Sequence, residues 1–183
     1  MTTRDALLAM KPRALRDALR AGHEVDLAWL DDAEYRGISL GLPRWMESLS
    51  WKTFTKAFFH GRGWNVRCEQ DGLDATPRAK QRRGQPFTFG YYTVSRREVT
   101  LPGLGPWKGA LIDYDVPENG FSASRLVKDP LVALTAGDPS RLLGWSYVAA
   151  LGGLSTPSYF LLERTGPVRA EMSPGATRPR LPG

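Results

Sequence analysis

Eight short runs of strand-forming residues, most of them separated by turn residues, fill residues 34–164 of this chain. The clearest are 51–60, 64–70, 87–95, 108–114, 142–150 and 157–164, and two weaker ones are 34–40 and 131–135. Eight antiparallel strands suffice to close a barrel, whose interior is either filled by side chains or holds one small ligand. The expected fold is therefore mainly β: an antiparallel barrel or strongly curved sheet of about eight strands. The expected domain limits are a helical segment at 1–33, a β-barrel at 34–165 and a disordered tail at 166–183.

Helix signals are confined to the N-terminus. Thr2 or Thr3 can cap a helix over RDALLAM, with Asp5 in its first turn. Pro12 fits the first turn of a second helix, PRALRDALRAG, and Gly22 ends it in the C′ role. Leu8, Leu15, Leu19 and Ala18 form the apolar stripe, which belongs against the outside of the barrel or across one end. A third short helix, LPRWMESLS, would pack Trp45, Met46 and Leu49 as a lid at one mouth.

Composition narrows the class of function. No apolar stretch approaches the roughly 20 residues of a membrane helix, and the charged N-terminus lacks a signal-like apolar segment. Cys68 is the single cysteine, so a reducing, cytoplasmic setting is expected. The net charge of +6 comes from two places: Arg78, Lys80, Arg82 and Arg83, and the segment after Thr165. The loop TPRAKQRRGQP carries no aromatics and reads as a solvated, mobile basic loop. Nucleic acid is not an expected partner; weak contact of these four cations with an anionic surface is the lesser alternative.

The stretches ALIDYDVPEN, RLVKDPLVAL, LLGWSYVAALGG and SYFLLER, with EYRGISLG, WKTFTKAFF and GWNV before them, resemble a pattern in uncharacterised bacterial single-domain proteins. That resemblance covers roughly residues 34–164. It implies a lipocalin-like, calycin-type barrel and carries no established activity. Asp115 stands where the pattern has glycine.

The densest polar group is Asp113, Asp115, Asn119, Arg125 and Asp129. Its spacing is not that of an EF-hand loop, so no metal is expected. Arg125 and Asp129 stand four apart on a short helix, SASRLVKD, and a strand aspartate pairing Arg125 across the barrel rim is the favoured reading. His23 and His60 lack catalytic surroundings, Cys68 reads as core with Trp64 and Val66, and no cofactor-binding motif is present. On the strand 51–60, Phe54 and Phe58 share a face with Lys52, Lys56 and His60, while Trp51, Thr53, Thr55, Ala57 and Phe59 take the other.

The aromatics carry the functional expectation. Phe89 and Tyr91 share a face, as do Trp145 and Tyr147, and buried Tyr or Trp tips need polar partners. A pocket lined by Phe89, Tyr91, Trp145, Tyr147 and Tyr159, with Asp113 and Arg125 at its mouth, would bind an apolar or aromatic small molecule. An enzyme using the rim carboxylates and Arg125, or an interaction module using the basic loop, are the alternatives. Binding without catalysis is favoured because it requires only a cavity.

Overall fold

The computed structural model describes residues 3–41, 53–150 and 153–174. Their strands are β1 (Ala33–Leu40), β2 (Thr53–Phe59), β3 (Arg62–Arg67), the two-residue β4 (Gln81–Arg82) and β5 (Gln85–Pro86), β6 (Thr88–Leu101), β7 (Gly105–Asp113), β8 (Val127–Thr135), β9 (Asp138–Val148) and β10 (Leu154–Gly166). Eight of these close in the order β1-β10-β9-β8-β7-β6-β3-β2, every pair antiparallel, and β1 closes the ring by pairing with both β2 and β10. The expected antiparallel barrel of about eight strands is the architecture observed. Among the described residues, no helix is long and apolar enough to cross a membrane.

Parity explains which side chains fill the interior. Ala33 and Tyr35 of β1, Phe58 of β2, Tyr92 and Val94 of β6, Ala110 and Ile112 of β7, Leu131 and Ala133 of β8, Leu142 of β9, and Phe160 and Leu162 of β10 form one buried cluster. A closed sheet turns alternate residues of every strand inward, and these are those residues. Val25 and Leu30 join them from the turn before β1. The aromatic rings need space that small residues on neighbouring strands leave. A Cβ at Gly37 would lie 2.3 Å from the Phe54 ring, and one at Gly144 would lie 2.2 Å from the Phe160 ring.

Two covers shield the outer face. Helices α1 (Arg4–Ala9) and α2 (Pro12–Ala21) lay Leu7, Leu15 and Leu19 on Ile38, Leu40, Val132, Leu143, Trp145 and Leu161. Thr3 caps α1, accepting a bond from the Ala6 amide at 3.2 Å. Gly22 ends α2 in an extended conformation, not the expected left-handed one. Its small size has another use, because a Cβ there would lie 2.3 Å from Val132 Cγ2. The second cover is the segment after β10. Met172 is fully buried with Ala57, Trp64 and Val66, and the Trp64 indole donates to the Met172 carbonyl at 2.8 Å. Arg169 reaches the fully buried Glu34 at 2.7 Å. The chain through Pro174 is therefore docked where a disordered tail was expected; residues 175–183, like the expected lid at 42–50, lie outside the described residues.

Other local expectations are revised. Residues 127–129 open strand β8 and are not the end of a helix; a short turn over Ala123–Leu126 precedes them. The turn between β2 and β3 is His60–Gly61, with φ of 49° and 71°, the left-handed pair that a two-residue hairpin requires. The basic loop carries the β4–β5 hairpin, where Arg82 stacks on Phe87, and before it Arg78 pairs with Asp71 at 2.7 Å.

Tyr35 gives a test of this interior. Its hydroxyl is buried without a hydrogen-bond partner, and burial pushes its ionisation up to about 12 from 10.0. The unfolded chain releases that proton near 10 while the folded chain keeps it, so this contribution to stability is complete below pH 10 and is lost as pH rises through about 12. Tyr35→Phe is expected to raise stability by about 1 kcal/mol by removing the unsatisfied hydroxyl. It should also flatten the alkaline decline, both readable from urea unfolding between pH 8 and 11.5.

Candidate functional site

The end of the barrel at which β1 finishes and β2 begins holds a pocket of about 420 Å³. Antiparallel pairing brings Ser39, Phe54, Lys56, Asn65, Phe89, Tyr114, Asp129, Ser146 and residues 156–160 to this one end. The room comes from a size gradient around the wall. The adjacent strands β1, β10 and β9 present Ser39, Ser158 and Ser146 near the rim, whereas Phe54 of β2, Phe89 of β6, Tyr114 and, deeper on β10, Phe160 supply the aromatic lining. Short hydroxyl side chains on three neighbouring strands leave a concavity that the surrounding aromatics do not fill.

At the floor of this pocket a lysine crosses the barrel. Lys56 is 2% exposed, and β2 and β8 lie on opposite sides of the eight-strand ring, so its side chain spans the interior to Asp129. The ammonium donates to Asn65 Oδ1 at 3.0 Å, to Asp129 Oδ2 at 3.4 Å and to the Tyr114 hydroxyl. Tyr114 in turn donates to Asp129 Oδ2 at 2.8 Å. Asn65 is held by its own amide, which donates to the Gly90 carbonyl at 2.9 Å. Lys56 and Asn65 are direct cross-strand partners, which fixes the shorter arm of the network. The rings of Phe54, Tyr92, Tyr114 and Phe160 surround the ammonium at 4.8–5.8 Å, a cation–π cage that offsets part of the lost hydration.

Burial dominates the electrostatics. It pushes the Lys56 ammonium below its ordinary value, against the opposing pull of the Asp129 carboxylate. Burial, reinforced by the Asp129 charge, raises the Tyr114 and Tyr92 phenols well above theirs, so both stay protonated donors at neutral pH. Tyr92 spends its hydrogen on the Ala57 carbonyl at 3.0 Å. The result is a buried polar floor beneath an aromatic wall. Such a floor can orient one polar group of an otherwise apolar molecule.

Of the residues expected at the site, Phe89 lines this pocket, and Tyr159 borders it while its ring packs in the outer-face cluster under the helices. Trp145 and Tyr147 do not face inward. They lie beneath the N-terminal helices, where Trp145 stacks on Tyr147 at 5.4 Å and on Tyr159 at 6.1 Å, and the Trp145 indole donates to the Thr156 carbonyl at 2.7 Å. The pairing of positions by face was right and its sign was reversed, because Phe160 fills the space over Gly144 and Ser146 borders the pocket. Tyr91 parts from Phe89 for a different reason. Gly63 faces Tyr92 and Asn65 faces Phe89, so β6 carries one extra residue between them, a bulge at Gly90 with φ of 52°. Phe89 therefore faces the pocket while Tyr91 packs with Trp64 on the outside.

Asp113 and Arg125 do not meet at the mouth either. Asp113 pairs with Lys128, its cross-strand partner, and Arg125 pairs with Asp115 at 2.5 Å. Asn119 ties the same corner together through the backbone of Tyr91 and Tyr114. Arg125 was expected to pair with a strand aspartate; its partner is Asp115, two residues past the end of β7, while the strand residue Asp113 takes Lys128 and Asp129 turns inward. Sequence reasoning overlooked Lys56 as a site residue. The available signal was a lysine between Phe54 and Phe58 on one strand face. Comparisons with protein-family models, curated proteins and solved structures return no match.

Proposed function

We propose that this protein binds a small apolar or aromatic molecule in the mouth of a lipocalin-like barrel. The observation that carries the reading is the 420 Å³ pocket, walled by Phe54, Phe89 and Phe160 and floored by the paired Lys56, Asn65, Tyr114 and Asp129. Its volume falls in the range of sites for small molecules, roughly 300–1,000 Å³. The up-and-down order of the strands, closed by the first and last, supports the lipocalin comparison at the level of architecture only. An enzyme built on Asp113, Asp115 and Arg125 draws no support from the geometry, since those groups neutralise one another or Lys128 outside the pocket. An anionic-surface module draws little from the hairpin cations, two of which are engaged by Asp71 and Phe87.

Native mass spectrometry of protein purified without detergent tests this reading. The expected result is a ligand of a few hundred daltons that survives Lys80→Ala and Arg82→Ala and is lost in Ser146→Phe, whose ring would occupy the pocket. Loss in the hairpin variants with retention in Ser146→Phe would transfer the function to the basic surface.

A further inference from the structure

The hydrogen-bond inventory of the pocket floor specifies what a ligand must bring. An ammonium has three donors and no acceptor, and those of Lys56 have three acceptors: Asn65 Oδ1, the Tyr114 hydroxyl and Asp129 Oδ2. The Tyr114 hydrogen is spent on Asp129 Oδ2. Among the described residues, two buried side-chain polar atoms lack a partner, the Tyr35 hydroxyl and Asp129 Oδ1. Tyr35 sits deeper, in the cluster with Leu30 and Phe58, and does not border the pocket. Asp129 does border it and is 1% exposed. The Lys56–Tyr114–Asp129 part of the floor thus has its hydrogens spent and one acceptor to spare.

Resting on the pocket reading above, we infer that the site selects an uncharged aromatic or apolar molecule carrying a hydroxyl or N–H, which donates to Asp129 Oδ1, and discriminates against carboxylates. A buried carboxylate oxygen without a partner is costly, and a charge-assisted bond from a ligand removes that cost while fixing the ligand's orientation. A ligand carboxylate would meet the reverse situation. It would find no free donor on Lys56 or on Tyr114 and would place a second negative charge beside Asp129 in a low-dielectric cavity. A purely apolar ligand would fit the walls and leave the oxygen unpaired. The selection therefore follows from one unpaired carboxylate oxygen and from the negative charge it carries.

Four matched probes test the inference at neutral pH by fluorescence or calorimetric titration: 1-naphthol, 1-methoxynaphthalene, naphthalene and 1-naphthoate. The expected order places 1-naphthol about tenfold or more tighter than naphthalene, as one charge-assisted hydrogen bond implies. The methoxy compound, which keeps the oxygen and loses the hydrogen, should fall back to the naphthalene value, and 1-naphthoate should bind weakest. In Asp129→Asn the buried ammonium loses its counter-charge, and 1-naphthoate should become the preferred probe. Equal binding of 1-naphthol and 1-methoxynaphthalene, or tighter binding of 1-naphthoate to the unaltered protein, overturns the inference and leaves the pocket standing. Binding of none of the four, naphthalene included, overturns the pocket reading together with it. The wild-type series decides the matter even if Asp129→Asn does not fold.

Discussion

Lys56→Met is expected to lower folding stability by about 3–5 kcal/mol, because it leaves a carboxylate buried in the barrel without its counter-charge. Asp129 is 1% exposed, one of its oxygens already lacks a partner, and the loss of Lys56 would strip the other of one of its two donors. For a domain of 183 residues that is a drop in unfolding midpoint of about 10 °C. The double variant Lys56→Met/Asp129→Leu is expected to recover most or all of this, since replacing both members of a buried pair by apolar groups is commonly neutral or stabilising. Denaturant unfolding of the two variants beside the unaltered chain separates these outcomes. If the single and double variants lost the same stability, the bridge across the barrel would not be the interaction that holds Asp129. A double variant as stable as the parent yet unable to bind 1-naphthol would show that the pair is kept for its chemistry at the pocket floor and not for folding.

The second large effect separates two neighbours on one strand. Trp145 is 1% exposed and stacked between Tyr147 and Tyr159 under α1 and α2. Trp145→Ala removes that stack and the packing of the helices on it, at an expected cost of about 3–5 kcal/mol. Ligand affinity, measured where the variant is still folded, should be unchanged, because Trp145 does not border the pocket. Ser146→Phe should do the opposite: stability within about 1 kcal/mol of the parent, and binding abolished. Both outcomes follow from the face each residue occupies. Binding lost in Trp145→Ala and kept in Ser146→Phe would restore the inward assignment of Trp145 and Tyr147.

Those two residues also show how far the sequence could be read. Turn residues and alternation were enough for the strand count, the antiparallel order and the outward helices, because each is a local consequence of chain chemistry. They were enough to group Trp145 with Tyr147 and Phe54 with Lys56 and Phe58. They were not enough to say which group faces inward, since the strands under the helices, β1, β8, β9 and β10, have two buried faces. The deciding facts are long-range: the Phe160 ring over Gly144, the Phe54 ring over Gly37, and Leu15 and Leu19 lying on the outer wall. The extra residue at Gly90 is another case, visible only once Gly63 and Asn65 of β3 are seen facing Tyr92 and Phe89. Asp129 was obscured by the short helix expected over SASRLVKD, although β8 had already begun at Val127. The site itself joins Lys56 and Asp129, which are 73 residues apart. No local pattern relates them.

The central claim is that the pocket above the Lys56–Asp129 bridge is the place where this protein holds a small molecule. Backbone amide shift mapping by NMR during titration with 1-naphthol tests it most directly. The account predicts saturable shifts concentrated at Phe54, Asn65, Phe89, Asp129, Ser146 and Phe160, with little change at Leu15 and Leu19 beneath the helices or at Gln81 and Arg82 in the basic hairpin. Shifts confined to the helix-covered outer face or to the hairpin, with the six pocket residues unmoved, would contradict it.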